Sequence, residues 1–164
     1  MLTIPSIPKG YGPWQIECRG KGSKFIKNFI AEIAKIVLVS EKIKSSNIII
    51  ELYLKTKEEI KELNSILRQK REVTDVISVQ LESISEVEKS SYEVILGAAY
   101  FCLPIIKEDA TNLNRNEIHH IAHIVVHAIL HILGYEHEQE KEKQSMESKE
   151  INILSKLGVR NPYL

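Results

Sequence analysis

The sequence predicts an α+β fold: a single domain of helices packed on a small mixed sheet of about four strands, with one helix carrying a cluster of histidines. Three observations predict it. Apolar runs of strand length, NIIIELYL (47–54) and YEVILGAAYFCL (92–103) being the plainest, stand beside segments whose apolar residues recur at helical spacing. The two kinds intermix along the chain and do not fall into separate blocks, which suggests helices covering one sheet. The 164 residues contain no internal repeat and no linker able to divide them, so 1–164 reads as one domain, long enough to bury a core.

Residues 1–20, rich in Pro and Gly, read as an irregular N-terminal arm or edge segment. From about Lys24 to Val39, the residues Phe25, Phe29, Ile33, Ile36 and Val37 give a helical period. The β-branched run 47–54 is a strand. Thr56 and Glu59 then form a capping box, opening a helix whose buried face is Ile60, Leu63 and Leu67. LRQKREVTDVISVQL passes from a basic turn into a strand, Val76–Leu81, and the acidic, Ser-rich ESISEVEKSSY reads as a loop. The apolar run 92–103 is the central strand. A histidine-bearing helix is expected from about Asn112 to Leu133. A final helix starts near Glu140, faces Met146, Ile153, Leu154 and Leu157 inward, and stops at Gly158.

Composition narrows the function classes. With 43% hydrophobic and 27% charged residues the chain is ordinary globular protein. A formal net charge of zero supplies no bulk attraction to nucleic acid, so any such contact must come from a local basic patch. Cys18 and Cys102 fit no CxxC pattern and read as reduced thiols, which makes the cytoplasm the expected compartment. No run of about eighteen apolar residues exists to span a bilayer, and the opening residues lack the pattern of an export signal. No membrane partner is expected.

All six histidines fall between positions 119 and 137. His127 and His131 are four apart, so a helix places them on one face about 6 Å apart along its axis, where both can reach one ion. Gly134 is where such a helix would end in a left-handed turn, returning His137 to the same point. The pattern H-x-x-x-H-x-x-G-x-x-H thus offers three ligands and leaves a fourth position open, the layout of a catalytic zinc site. A polar helix stripe would look the same as far as His131; Gly134 and His137 favour the metal. His119 and His120 read as surface or support residues, and His123 as a support or cleft residue. Metzincin proteases share this spacing, but Ala128 stands where they need a Glu as general base, and Glu136 lies elsewhere.

HAILHILGYEH (127–137) resembles the hallmark of the YbeY family, bacterial endoribonucleases of rRNA maturation, through its three histidines, Leu130, Gly134 and Tyr135. ELNSILRQKREVTDVIS (62–78) resembles a second family block at Asn64, Arg68, Lys70, Thr74, Asp75, Val76 and Ser78, and LGAAYFC and LGVRNPYL resemble two more. The resemblance covers roughly residues 47–164. It implies one Zn2+ per chain on His127, His131 and His137, and zinc-dependent cleavage of single-stranded RNA. It also implies a part in 16S rRNA 3′-end processing and ribosome quality control, with the ribosomal small subunit or its associated factors as partners.

The residues allow that chemistry. His127 belongs to the catalytic centre, Arg68 is the candidate guanidinium for a phosphate, and Lys70 and Arg71 could track the RNA backbone beside it. A basic cleft lined by Arg68 and Lys70 is expected beside the metal. The family pattern has Gly and Asp where this chain has Ala128 and Ala98, and Asp where it has Glu136. Those departures keep a second reading open, a metal-binding ribosome-associated factor with weak or no cleavage of its own; a metalloprotease stands third.

Overall fold

In the computed structural model, which describes residues 2–164, the strand-length runs pair into one four-stranded sheet. Its strands are β1 (Gln15–Gly20), β2 (Ile48–Leu54), β3 (Val76–Gln80) and β4 (Val94–Phe101), in the order β1-β2-β4-β3. β1, β2 and β4 run parallel and β3 runs antiparallel to β4, so the sheet is mixed, with the apolar β4 inside it. Around it stand α1 (Lys24–Ser40), α2 (Lys57–Arg68), α3 (Ile84–Lys89), α4 (Leu103–Asn112), α5 (Glu117–Ile132) and α6 (Glu140–Lys156).

Alternation along the strands decides which face is which. On β2, Ile48, Ile50, Leu52 and Leu54 are buried in the main core with α1, α5 and α6. Ile77 and Val79 of β3 and Tyr100 of β4 turn the other way, packing with Ile60 and Leu63 of α2. Hence α5 and α2 cover opposite faces of the β3–β4 half of the sheet. Gly97 lets α5 lie close: a Cβ there would stand 2.4 Å from the Val79 carbonyl oxygen and 2.7 Å from the Ile132 side chain.

Four expectations are corrected. The arm 1–20 is not irregular throughout, since Gln15–Gly20 is an edge strand with Ile16 buried; its short polar sequence becomes a strand by pairing with β2. The Ser-rich loop contains α3, where the Ser83 side chain accepts from the Glu86 N–H at 3.2 Å and Val87 is buried. The histidine helix expected from about Asn112 starts only at Glu117, as α5, and a separate helix, α4, precedes it where none was expected. Pro104 sits in the first turn of α4, where its missing N–H costs nothing. α4 then ends before Asn114 in the left-handed region, and α5 starts afresh at the N-cap Asn116. Finally, Phe25 and Leu67 face outward, Phe25 being 66% exposed. Phe25 stacks on the buried Phe29, and the buried side of α2 is completed by Asn64 in place of Leu67. The Thr56–Glu59 capping box is present.

Candidate metal centre

α5 owes its position to Ile121, Ala122, Val125, Ala128, Ile129 and Ile132, all fully buried. Ala128 therefore points into the core, and its methyl lies away from the face that carries the histidines. Rotated away from that face, His127 and His131 are half-buried. The helix closes with a Schellman motif: the Gly134 N–H donates to the His131 carbonyl and the Tyr135 N–H to the Leu130 carbonyl, both at 3.0 Å. Gly134 has φ of +104°, which only glycine adopts cheaply. The turn brings the exposed His137 back, with ring centroids 5.5 Å from His127 and 4.8 Å from His131.

One ring nitrogen from each of the three histidines lies within 4.8 Å of the others. The outer nitrogens of two are already committed: His127 Nδ1 meets Glu150 Oε1 at 2.5 Å, and His131 Nδ1 meets the Tyr135 carbonyl at 2.8 Å. Both partners are acceptors, so each Nδ1 carries the proton and each Nε2 presents a lone pair. Those two Nε2 atoms face each other at 3.1 Å. Two lone pairs so placed repel unless a cation lies between them. On a tetrahedral zinc with bonds of about 2.0 Å, ligand nitrogens stand about 3.3 Å apart. The donor set and its spacing fit zinc.

The electrostatics agree. Burial, then the neighbouring His127, holds His131 down to about 4, keeping it in the neutral form a ligand needs. Glu150 on α6 is fully buried. Burial alone would raise its carboxyl, but the nearby His123 imidazole and the hydrogen bonds from His127 and Tyr163 outweigh this and hold it down to about 2. Tyr163 also reaches His123, Oη to Nε2 at 3.3 Å.

A cavity of about 350 Å³ opens beside the histidines, lined by His127, His137, Lys143, Met146, Glu147, Glu150 and Tyr163. Lys143 is its cation. The basic cleft expected from Arg68 and Lys70 is corrected: neither they nor Arg71 line this cavity. Arg68 is the exposed last residue of α2, with no carboxylate within 4.0 Å among the described residues, whereas Arg71 pairs with Glu62 at 3.6 Å. The turn that carries them is pinned by the buried Asn64, whose amide donates to the Glu72 carbonyl at 3.0 Å. His119 is half-buried, and His120 is buried with neither ring nitrogen bonded. Glu150, Tyr163 and Lys143 escaped sequence reading, since no local spacing ties them to His127.

The fold and site define an α+β chain with three histidines, on a helix and its return turn, that could hold one metal ion. The chain belongs to the family described as Endoribonuclease YbeY, whose model matches residues 15–158. It is 35% identical over 118 residues to an endoribonuclease YbeY of Ruthia magnifica, covering 72% of this chain and 77% of that one. To the endoribonuclease YbeY of Ehrlichia canis it is 33% identical over 138 residues, covering 84% and 86%. The solution structure of a Thermotoga maritima protein superposes with a TM-score of 0.59 at 29% identity, over 88% of each chain. Among the described residues no helix is long and apolar enough to cross a membrane.

Proposed function

We propose that this protein is a zinc-dependent endoribonuclease that cuts single-stranded RNA during rRNA maturation. The reading places it at the 16S rRNA 3′ end, in ribosome quality control and in the cytoplasm. The observation that carries the reading is the convergence of His127 and His131 Nε2 atoms with His137, in a chain whose relatives are named endoribonucleases. His127, His131 and His137 would hold one zinc, which supplies Lewis acidity towards a phosphate oxygen and acidifies water.

The chain's own residues do the rest. Glu150 and the Tyr135 carbonyl orient the two helix-borne imidazoles. Lys143 attracts the phosphate backbone into the cavity, and Glu147, beside it, can accept a proton. Arg68, exposed and without a carboxylate partner, is assigned to a phosphate oxygen of the bound strand, with Lys70 and Arg71 following the backbone. The protease alternative loses ground, because Ala128, buried in the core, stands where the protease motif needs its Glu after the first histidine.

Substrate class is tested by incubating the purified protein with single-stranded RNA carrying a 16S rRNA 3′ end, the same RNA annealed into a duplex, and casein. Cleavage of the single strand alone is expected, with Arg68→Ala lowering kcat by about 10²–10³-fold at little change in KM. Binding without cleavage would favour a ribosome-associated binding factor, and casein hydrolysis would favour the protease.

A further inference from the structure

A fully buried carboxylate needs both hydrogen bonds and a countercharge. Glu150 has the bonds but no Lys or Arg within 4.0 Å among the described residues; its ion-pair partners are His127 and, at 3.6 Å, His123. The His127 ring turns its Nδ1 to this carboxylate and its Nε2 to the point where the ligand nitrogens converge.

The other Glu150 oxygen accepts from the Tyr163 hydroxyl. With its proton given to Glu150, that hydroxyl can only accept from His123 Nε2, so the polarity of the whole chain is fixed. It runs from His123 Nε2–H to Tyr163 Oη–H, to Glu150, to His127 Nδ1–H. The segment carrying Tyr163 is itself held: Arg115 donates to the Pro162 carbonyl, the Tyr163 N–H donates to Asn161 Oδ1 at 2.8 Å, and the Tyr163 ring meets His123 edge-on at 5.6 Å.

We infer that Glu150 and Tyr163 are positioning residues of the metal centre: together they lock His127 in the Nδ1–H tautomer, leave its Nε2 free to ligate, and so set the metal affinity. The residues after α6 thereby belong to the site. This rests on the metal reading proposed above, and the experiment separates the two.

Metal-free wild type, Glu150→Gln and Tyr163→Phe are compared in three ways. Zinc affinity is measured by competition with a chromogenic chelator, the cobalt(II) visible spectrum is recorded, and the His127 tautomer is read by imidazole ¹⁵N NMR. Glu150→Gln is expected to weaken zinc binding about 10–100-fold and to alter the cobalt spectrum. Tyr163→Phe, one bond further out, is expected to weaken it on the order of threefold to tenfold. Because Tyr163 is 45% exposed, its variant carries the test if Glu150→Gln does not fold. Variants that bind zinc as tightly as wild type, with the same spectrum and tautomer, would overturn the proposal. A wild type that binds no zinc would sink the metal reading; the tautomer comparison would then still decide whether Glu150 and Tyr163 hold the ring.

Discussion

Lys143 and Glu147 stand one turn apart on α6 and face the same cavity as His127 and His137. If that cavity receives the RNA backbone, Lys143 neutralises one phosphate. Replacing it with alanine should make the dependence of log K on log salt shallower by about 0.7 for single-stranded RNA. Filter binding at several salt concentrations measures this; an unchanged slope would remove Lys143 from the interface. His127, His131, Gly134 and His137 were legible in the sequence because helix pitch and a glycine turn are local rules. Glu150 was not: it reaches His127 across 23 residues, through the packing of α6 on α5, and no local pattern encodes that. Ala128 shows the opposite hazard. It adjoins a ligand in sequence, but one step on a helix turns the side chain by about 100°, into the core.

At the scale of the element, α5 serves two faces at once, apolar towards the sheet and ligand-bearing outward. Its seat depends on Gly97, because the Val79 carbonyl and Ile132 occupy the space of any side chain there. Gly97→Ala should therefore push α5 off β4 and destabilise the protein by about 1–3 kcal/mol, read from urea unfolding. Stability equal to wild type would show that the close approach is not required. Strong periodicity made α1, α2, α5 and α6 readable, and β2 and β4 announced themselves by β-branched residues. β1 was hidden because QIECRG gains its strand character only from β2, and α3 because one buried Val87 among polar residues leaves no period to detect. α4 was missed because its apolar start, Leu103, Ile105 and Ile106, continues the strand run 92–103, and its mostly polar remainder leaves no period to detect.

For the whole molecule, zero net charge leaves no bulk attraction to nucleic acid, so an RNA strand bound as proposed would be held by a few local cations and by the metal. The buried imidazoles also tie stability to pH. His131 is held down to about 4 by burial and then by His127, and His120 is lowered by burial and by His123. Unfolded, both titrate near 6.5. Between those values the unfolded chain binds more protons, so stability rises with pH and is lost as pH falls from about 6.5 towards 4. Glu150, held down to about 2, extends the loss below the ordinary carboxylate range. The denaturant midpoint of the metal-free protein should thus be lower at pH 5 than at pH 7; equal midpoints would contradict neutral, buried imidazoles. Zinc at about 100 times its Kd should add about 2.7 kcal/mol to the folded state at neutral pH.

The most direct measurement is cleavage of single-stranded RNA by one preparation before chelation, after chelation, and after return of one equivalent of zinc, with His131→Ala alongside. The predicted result is activity lost with the metal, restored by zinc, and absent from His131→Ala throughout. Cleavage that survives chelation, or that His131→Ala retains, would contradict a catalytic centre built on these histidines.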